Sequence, residues 1–137
     1  MTGAEIIIIQ GCVAVLGKVR SDGHQVEEYL EEHVPTFQGT PKELWKEIMQ
    51  ARLVEWGQEQ FDEYEIKSAY ALEGFMFELP PDTPKEFEAI SELAKNNLVA
   101  TIPGGMDNED GYLCGYNDIV YLIDLDNDGT NRMKDYD

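Results

Sequence analysis

The chain has 137 residues, 42% of them hydrophobic, which suits one domain with its own core and excludes wholesale disorder. Lys and Arg number 10 against 28 Asp and Glu, a formal net charge of -18. A surface this acidic repels phosphates and so argues against direct nucleic-acid binding; it points instead to a basic partner, to cations, or to plain solvation.

Residues 5–20 are rich in Ile and Val without a helical period, the pattern of a buried strand. Gln10-Gly11 marks either a bulge within one strand or a turn between two. No Lys or Arg precedes the apolar run, Glu5 stands where a signal peptide carries positive charge, and Gln10 interrupts it. A soluble, cytoplasmic protein is therefore expected. Cys12 and Cys114 are too few for a disulfide framework and wrongly spaced for zinc, and read as two buried thiols.

"HQVEEYLEEHV", 24–34, predicts a helix with Val26, Tyr29, Leu30 and His33 on one side and four glutamates on the other, ended by Pro35. "TPKELWKEIMQARLVEW" predicts a second, with Thr40 as N-cap, Pro41 at the first helical position and Glu43 closing a capping box. Its apolar face is Leu44, Trp45, Ile48, Met49, Leu53 and Trp56, and Gly57 stops it. Residues 61–79 alternate like a strand. Thr83-Pro84 and Glu86 repeat the capping device before a helix at 84–96. "LVATI", 98–102, predicts a short strand, 103–111 a loop, and 112–126 one or two strands with a turn at Asn117-Asp118. The sum is an α+β fold: a single domain over 1–137 with three helices packed on a mostly antiparallel sheet, and an acidic C-terminal tail, 127–137, that frays.

No phosphate-binding glycine loop, nucleophile elbow or zinc-binding histidine pair occurs. His24 and His33, nine residues apart, do not share a helical turn. Paired carboxylates arise by chance in so acidic a chain and are weak signs of acid/base catalysis. A small hydrolase or transferase assembled from distant residues is the least supported reading, and no enzyme is expected.

Two constellations carry functional content. "DLDNDGTNRMKD", 124–135, places Asp124, Asp126 and Asp128 at positions 1, 3 and 5, Gly129 at 6, the Thr130 carbonyl at 7 and Asp135 at 12. Calcium takes oxygens at this spacing, and the stretch resembles an EF-hand-type loop over twelve residues. It departs from that pattern at Asn131, at the cationic Arg132 in position 9, and at Asp135, shorter than the usual Glu. Its approach, "DIVYLI", reads as strand rather than helix. A calcium-binding module is thus the alternative expectation, with an ordinary turn in an acidic tail as its structural counterpart.

The second constellation is the distribution of acids. Glu27, Glu28, Glu31 and Glu32 stand at i, i+1, i+4 and i+5 of one helix, with i and i+4 about 6 Å apart along the axis, a spacing on the scale of charges along a nucleic-acid strand. Asp107, Glu109 and Asp110 form another cluster. An ordered domain bearing such clusters presents a phosphate-like face to a basic, nucleic-acid-binding surface. The leading expectation is a non-enzymatic nucleic-acid mimic: an anti-defence inhibitor, such as an anti-CRISPR or anti-restriction protein from a phage, or an immunity protein. It contacts the partner through Glu27, Glu28, Glu31, Glu32, Asp107, Glu109 and Asp110.

Overall fold

Four successive isoleucines, Ile6–Ile9, do not alternate with polar residues, so the strand they form must be covered on both faces. The computed structural model, which describes residues 4–19, 23–64, 74–101 and 119–136, shows this arrangement. Strand β1 (Ala4–Gln10) turns at Gly11-Cys12 into β2 (Val13–Val19), an antiparallel hairpin with Gln10 opposite Val13. The glycine at position 11 therefore splits the run into two strands. Strands β3 (Phe75–Glu78), β4 (Ile119–Asp124) and β5 (Met133–Tyr136) complete a sheet of order β3-β2-β1-β4-β5. Only the central β1–β4 pairing is parallel; the other three are antiparallel. The fold is α+β with a mostly antiparallel sheet, in a single domain.

Helices lie on both faces. On one, α1 (Gly23–His33), α2 (Pro41–Trp56) and α3 (Gln58–Tyr64) cover Ile6 and Ile8 of β1, Val15 and Val19 of β2 and Tyr121 and Ile123 of β4. On the other, Ile90 and Ala94 of α4 (Phe87–Thr101) meet Ile7, Ile9, Leu16, Phe77 and Leu122. Trp45 of α2 is fully buried, and its indole lies against the backbone of Gly17: a Cβ there would come within 2.4 Å of the ring. Gly17 is what lets so large a side chain approach a central strand.

The capping box of α2 forms as expected: the Thr40 amide donates to Glu43 Oε1 (3.1 Å) and the Glu43 amide to Thr40 Oγ1 (3.2 Å). Pro35 falls in a 3-10 turn, Val34–Thr36, directly after α1.

Five expectations are corrected. Residues 61–64, the start of the segment read as strand, belong instead to α3, a further helix among the described residues. Helix α4 starts at Phe87 rather than at Pro84; the Glu86 carbonyl accepts its first hydrogen bond, from Ile90. Leu98–Thr101, read as strand, continue α4, whose helical ladder overrides their β propensity. Cys12 is exposed at the hairpin turn rather than buried. The tail from residue 127 does not fray: a 3-10 turn, Gly129–Arg132, leads into β5, which pairs with β4 through Tyr136. Cys114 and the turn at Asn117-Asp118 lie outside the described residues. Among the described residues, no helix is long and apolar enough to cross a membrane.

Candidate functional site

The twelve-residue loop divides into two halves. Asp124 ends β4 and is 7% exposed, held there because the next amide, of Leu125, donates to the Ile9 carbonyl of β1 (2.9 Å). Asp124 Oδ1 accepts from the Asp126 amide (3.0 Å), and Asp126 Oδ2 accepts from the Gly11 amide (2.7 Å). The ammonium of Lys85, from the β3–α4 connection, lies 3.4 Å from Asp124 Oδ2 and 3.8 Å from Asp126 Oδ2. Positions 1 and 3 of the expected metal loop thus converge on a tethered cation.

Gly129 adopts φ +53°, the left-handed conformation expected at position 6. The chain then turns away. Asp128 is exposed and makes no capping hydrogen bond with its side chain. Asp135 sits in β5 opposite Tyr121, three residues along β4 from Asp124, or about 10 Å. An EF-hand needs position 12 to fold back onto the cation shared with position 1, and that closure is not formed. Among the described residues no three His, Cys, Asp or Glu side chains are grouped to hold a metal ion. Arg132, which position 9 of the loop would place beside a metal, instead donates through Nη1 to the carbonyls of Val34 (2.9 Å) and Phe37 (2.7 Å), and through Nε to that of Asn127 (2.8 Å). It staples the last 3-10 turn to the segment after α1.

Lys85→Ala is expected to lower stability by about 1 kcal/mol, since the half-exposed ammonium is screened but Asp124 stays nearly buried. Urea unfolding reads this, and Lys85→Ala with Asp124→Asn should recover most of the loss; no recovery would mean that the pair is not what Lys85 contributes.

The other half of the loop meets the glutamate helix. Thr130 and Asp135 line one wall of a groove of about 420 Å³, and Glu27 and Glu31 line the other. Leu30, Val34, Pro35 and Met133 add to its lining. Helix α1 is oriented by Val26 and Leu30, buried against the sheet, so its glutamates face outward. Glu28, Glu31 and Glu32 are exposed, and among the described residues they form no ion pair; Glu27 is half-buried. The structure therefore brings together Glu27 and Glu31 with Asp135 and Thr130, two groups that sequence spacing had kept apart. Asp107, Glu109 and Asp110 lie outside the described residues.

One titratable group escaped the sequence reading. Glu5 alternates along β1 with Ile7 and Ile9 and so points to the α4 face, where it is 4% exposed and its Oε1 has no hydrogen-bond partner. Burial pushes its carboxyl from 4.5 up to about 7, against the pull of Lys95 on α4 and Lys18 on β2. An ionisable residue inside an apolar strand was the available signal.

No protein-family model, curated protein or solved structure matches this chain.

Proposed function

We propose that the protein is a non-catalytic, acidic binding protein that occupies a basic, nucleic-acid-binding surface on a partner protein, as inhibitors of nucleases, restriction enzymes or CRISPR effectors do. The observation that supports this reading best is the outer face of α1. Three exposed glutamates, Glu28, Glu31 and Glu32, stand on one ordered helix without a compensating cation among the described residues. Elsewhere the fold does neutralise its acids, as Lys85 does for Asp124 and Asp126. Like charges at i and i+4 cost the helix a few tenths of a kcal/mol, a cost that a cationic partner reverses. The net charge of -18 adds long-range steering toward such a partner.

Reversing Glu28, Glu31 and Glu32 to Lys is expected to weaken that binding about a hundredfold, with the circular dichroism spectrum unchanged. Each exposed contact contributes up to about 1 kcal/mol and each reversal adds repulsion. The measurement is capture from a bacterial lysate on immobilised protein, with release by duplex DNA and by salt. A reversed variant that captures the same protein with the same salt dependence overturns the reading.

A further inference from the structure

The groove between α1 and β5 is not a flat charged face. Its lining combines the apolar Val34, Pro35 and Met133 with Glu31 from α1 and Asp135 from β5. Its walls belong to different ends of the chain, and Arg132 locks them together with 2.7–2.9 Å hydrogen bonds to the Val34 and Phe37 carbonyls. The groove is therefore formed before anything enters it, which spares a ligand the cost of ordering it.

Charge and shape together select the occupant. An isolated metal ion gains nothing from apolar lining, and an apolar helix gains nothing from the carboxylates beside it. A long basic side chain matches both: its methylene stem lies on apolar surface while its head reaches carboxylates at the edge. Arginine suits this better than lysine, since its planar guanidinium pairs with carboxylates in bidentate fashion and is more weakly hydrated. The volume, about 420 Å³, leaves room for an apolar neighbour beside it. We infer that this groove is the anchor point of the interface, seating an arginine and an adjacent apolar side chain from a basic segment of the partner protein. This inference rests on the acidic-binder reading above and makes it specific, because a phosphate mimic alone has no use for apolar lining.

The test uses a short fluorescein-labelled peptide alternating arginine with leucine, its counterpart with serine for leucine, and fluorescence anisotropy. The intact protein should bind the leucine peptide about tenfold more tightly, the effect of burying roughly one further apolar side chain, and that preference should survive added salt. Thr130→Trp, which fills the groove without changing charge, should abolish the preference. Glu31→Gln with Asp135→Asn should weaken the leucine peptide about tenfold more than Glu78→Gln with Glu88→Gln, which removes the same charge elsewhere; circular dichroism checks each fold. Equal affinity for the two peptides, equal losses in the two double variants, or an unaffected Thr130→Trp overturns the anchor while leaving the acidic-binder reading standing. Failure of both peptides to bind the intact protein at low salt overturns both readings.

Discussion

Trp45→Ala is expected to cost about 3–5 kcal/mol, a large share of the ~5–15 kcal/mol that keeps a domain of this kind folded. The indole is fully buried and reaches from α2 to Gly17 of β2. The same contact is equally sensitive to crowding. Gly17→Ala would put a methyl group 2.4 Å from the ring in the middle of a paired strand, where backbone and indole have little room to give, and overpacking of this sort costs about 1–3 kcal/mol or more. The two changes act on one space, so the double variant should lose less than the sum of the single losses. Chemical denaturation of the four proteins decides it. Strict additivity would show that Trp45 and Gly17 do not sense each other.

The second large effect is on pH. Glu5 titrates near 7 in the folded protein and near 4.5 when unfolded. Between those values the native state holds a proton that the unfolded chain has released. Stability contributed by that proton is complete below about pH 4.5 and is lost as pH rises through 7. At about 1.4 kcal/mol per pH unit the loss approaches 3 kcal/mol. The other carboxylates also change with pH, and the chain's self-repulsion grows as they ionise, so the informative quantity is the difference from Glu5→Gln. The variant should match the parent at pH 4 and exceed it by roughly 3 kcal/mol at pH 8. A constant difference between the two across that range would place the Glu5 carboxylate in contact with water or with a cation.

What could be read from the sequence was what local chemistry decides. Thr40, Pro41 and Glu43 specify a helix start among themselves, and the start forms where they stand. Four isoleucines in a row demand cover on both faces, whatever supplies it. Failures fell where distant chain overrode local preference. Leu98–Thr101 have strand-like side chains but extend a helix already nucleated before them. Met133–Tyr136 look like a tail until β4 offers them an edge. The calcium spacing of Asp124 and Asp126 is a separate case: spacing says nothing of Lys85, some forty residues upstream, whose ammonium lies against both. Among the site residues, Glu27 and Glu31 were legible as one helix face, whereas their meeting with Asp135 depends on sheet order alone.

The parallel pairing of β1 with β4 sets a timetable for synthesis. β1 emerges at residue 4 and β4 only at residue 119. At about 5–20 residues per second, roughly 5–20 s separate them on the ribosome. Through that interval β2 can protect one edge of the isoleucine strand while the other, with its row of unpaired amides and carbonyls, waits. The central strand of the finished protein is thus an open edge for most of its own translation, and a negatively charged chain that repels its neighbours is well suited to survive the wait.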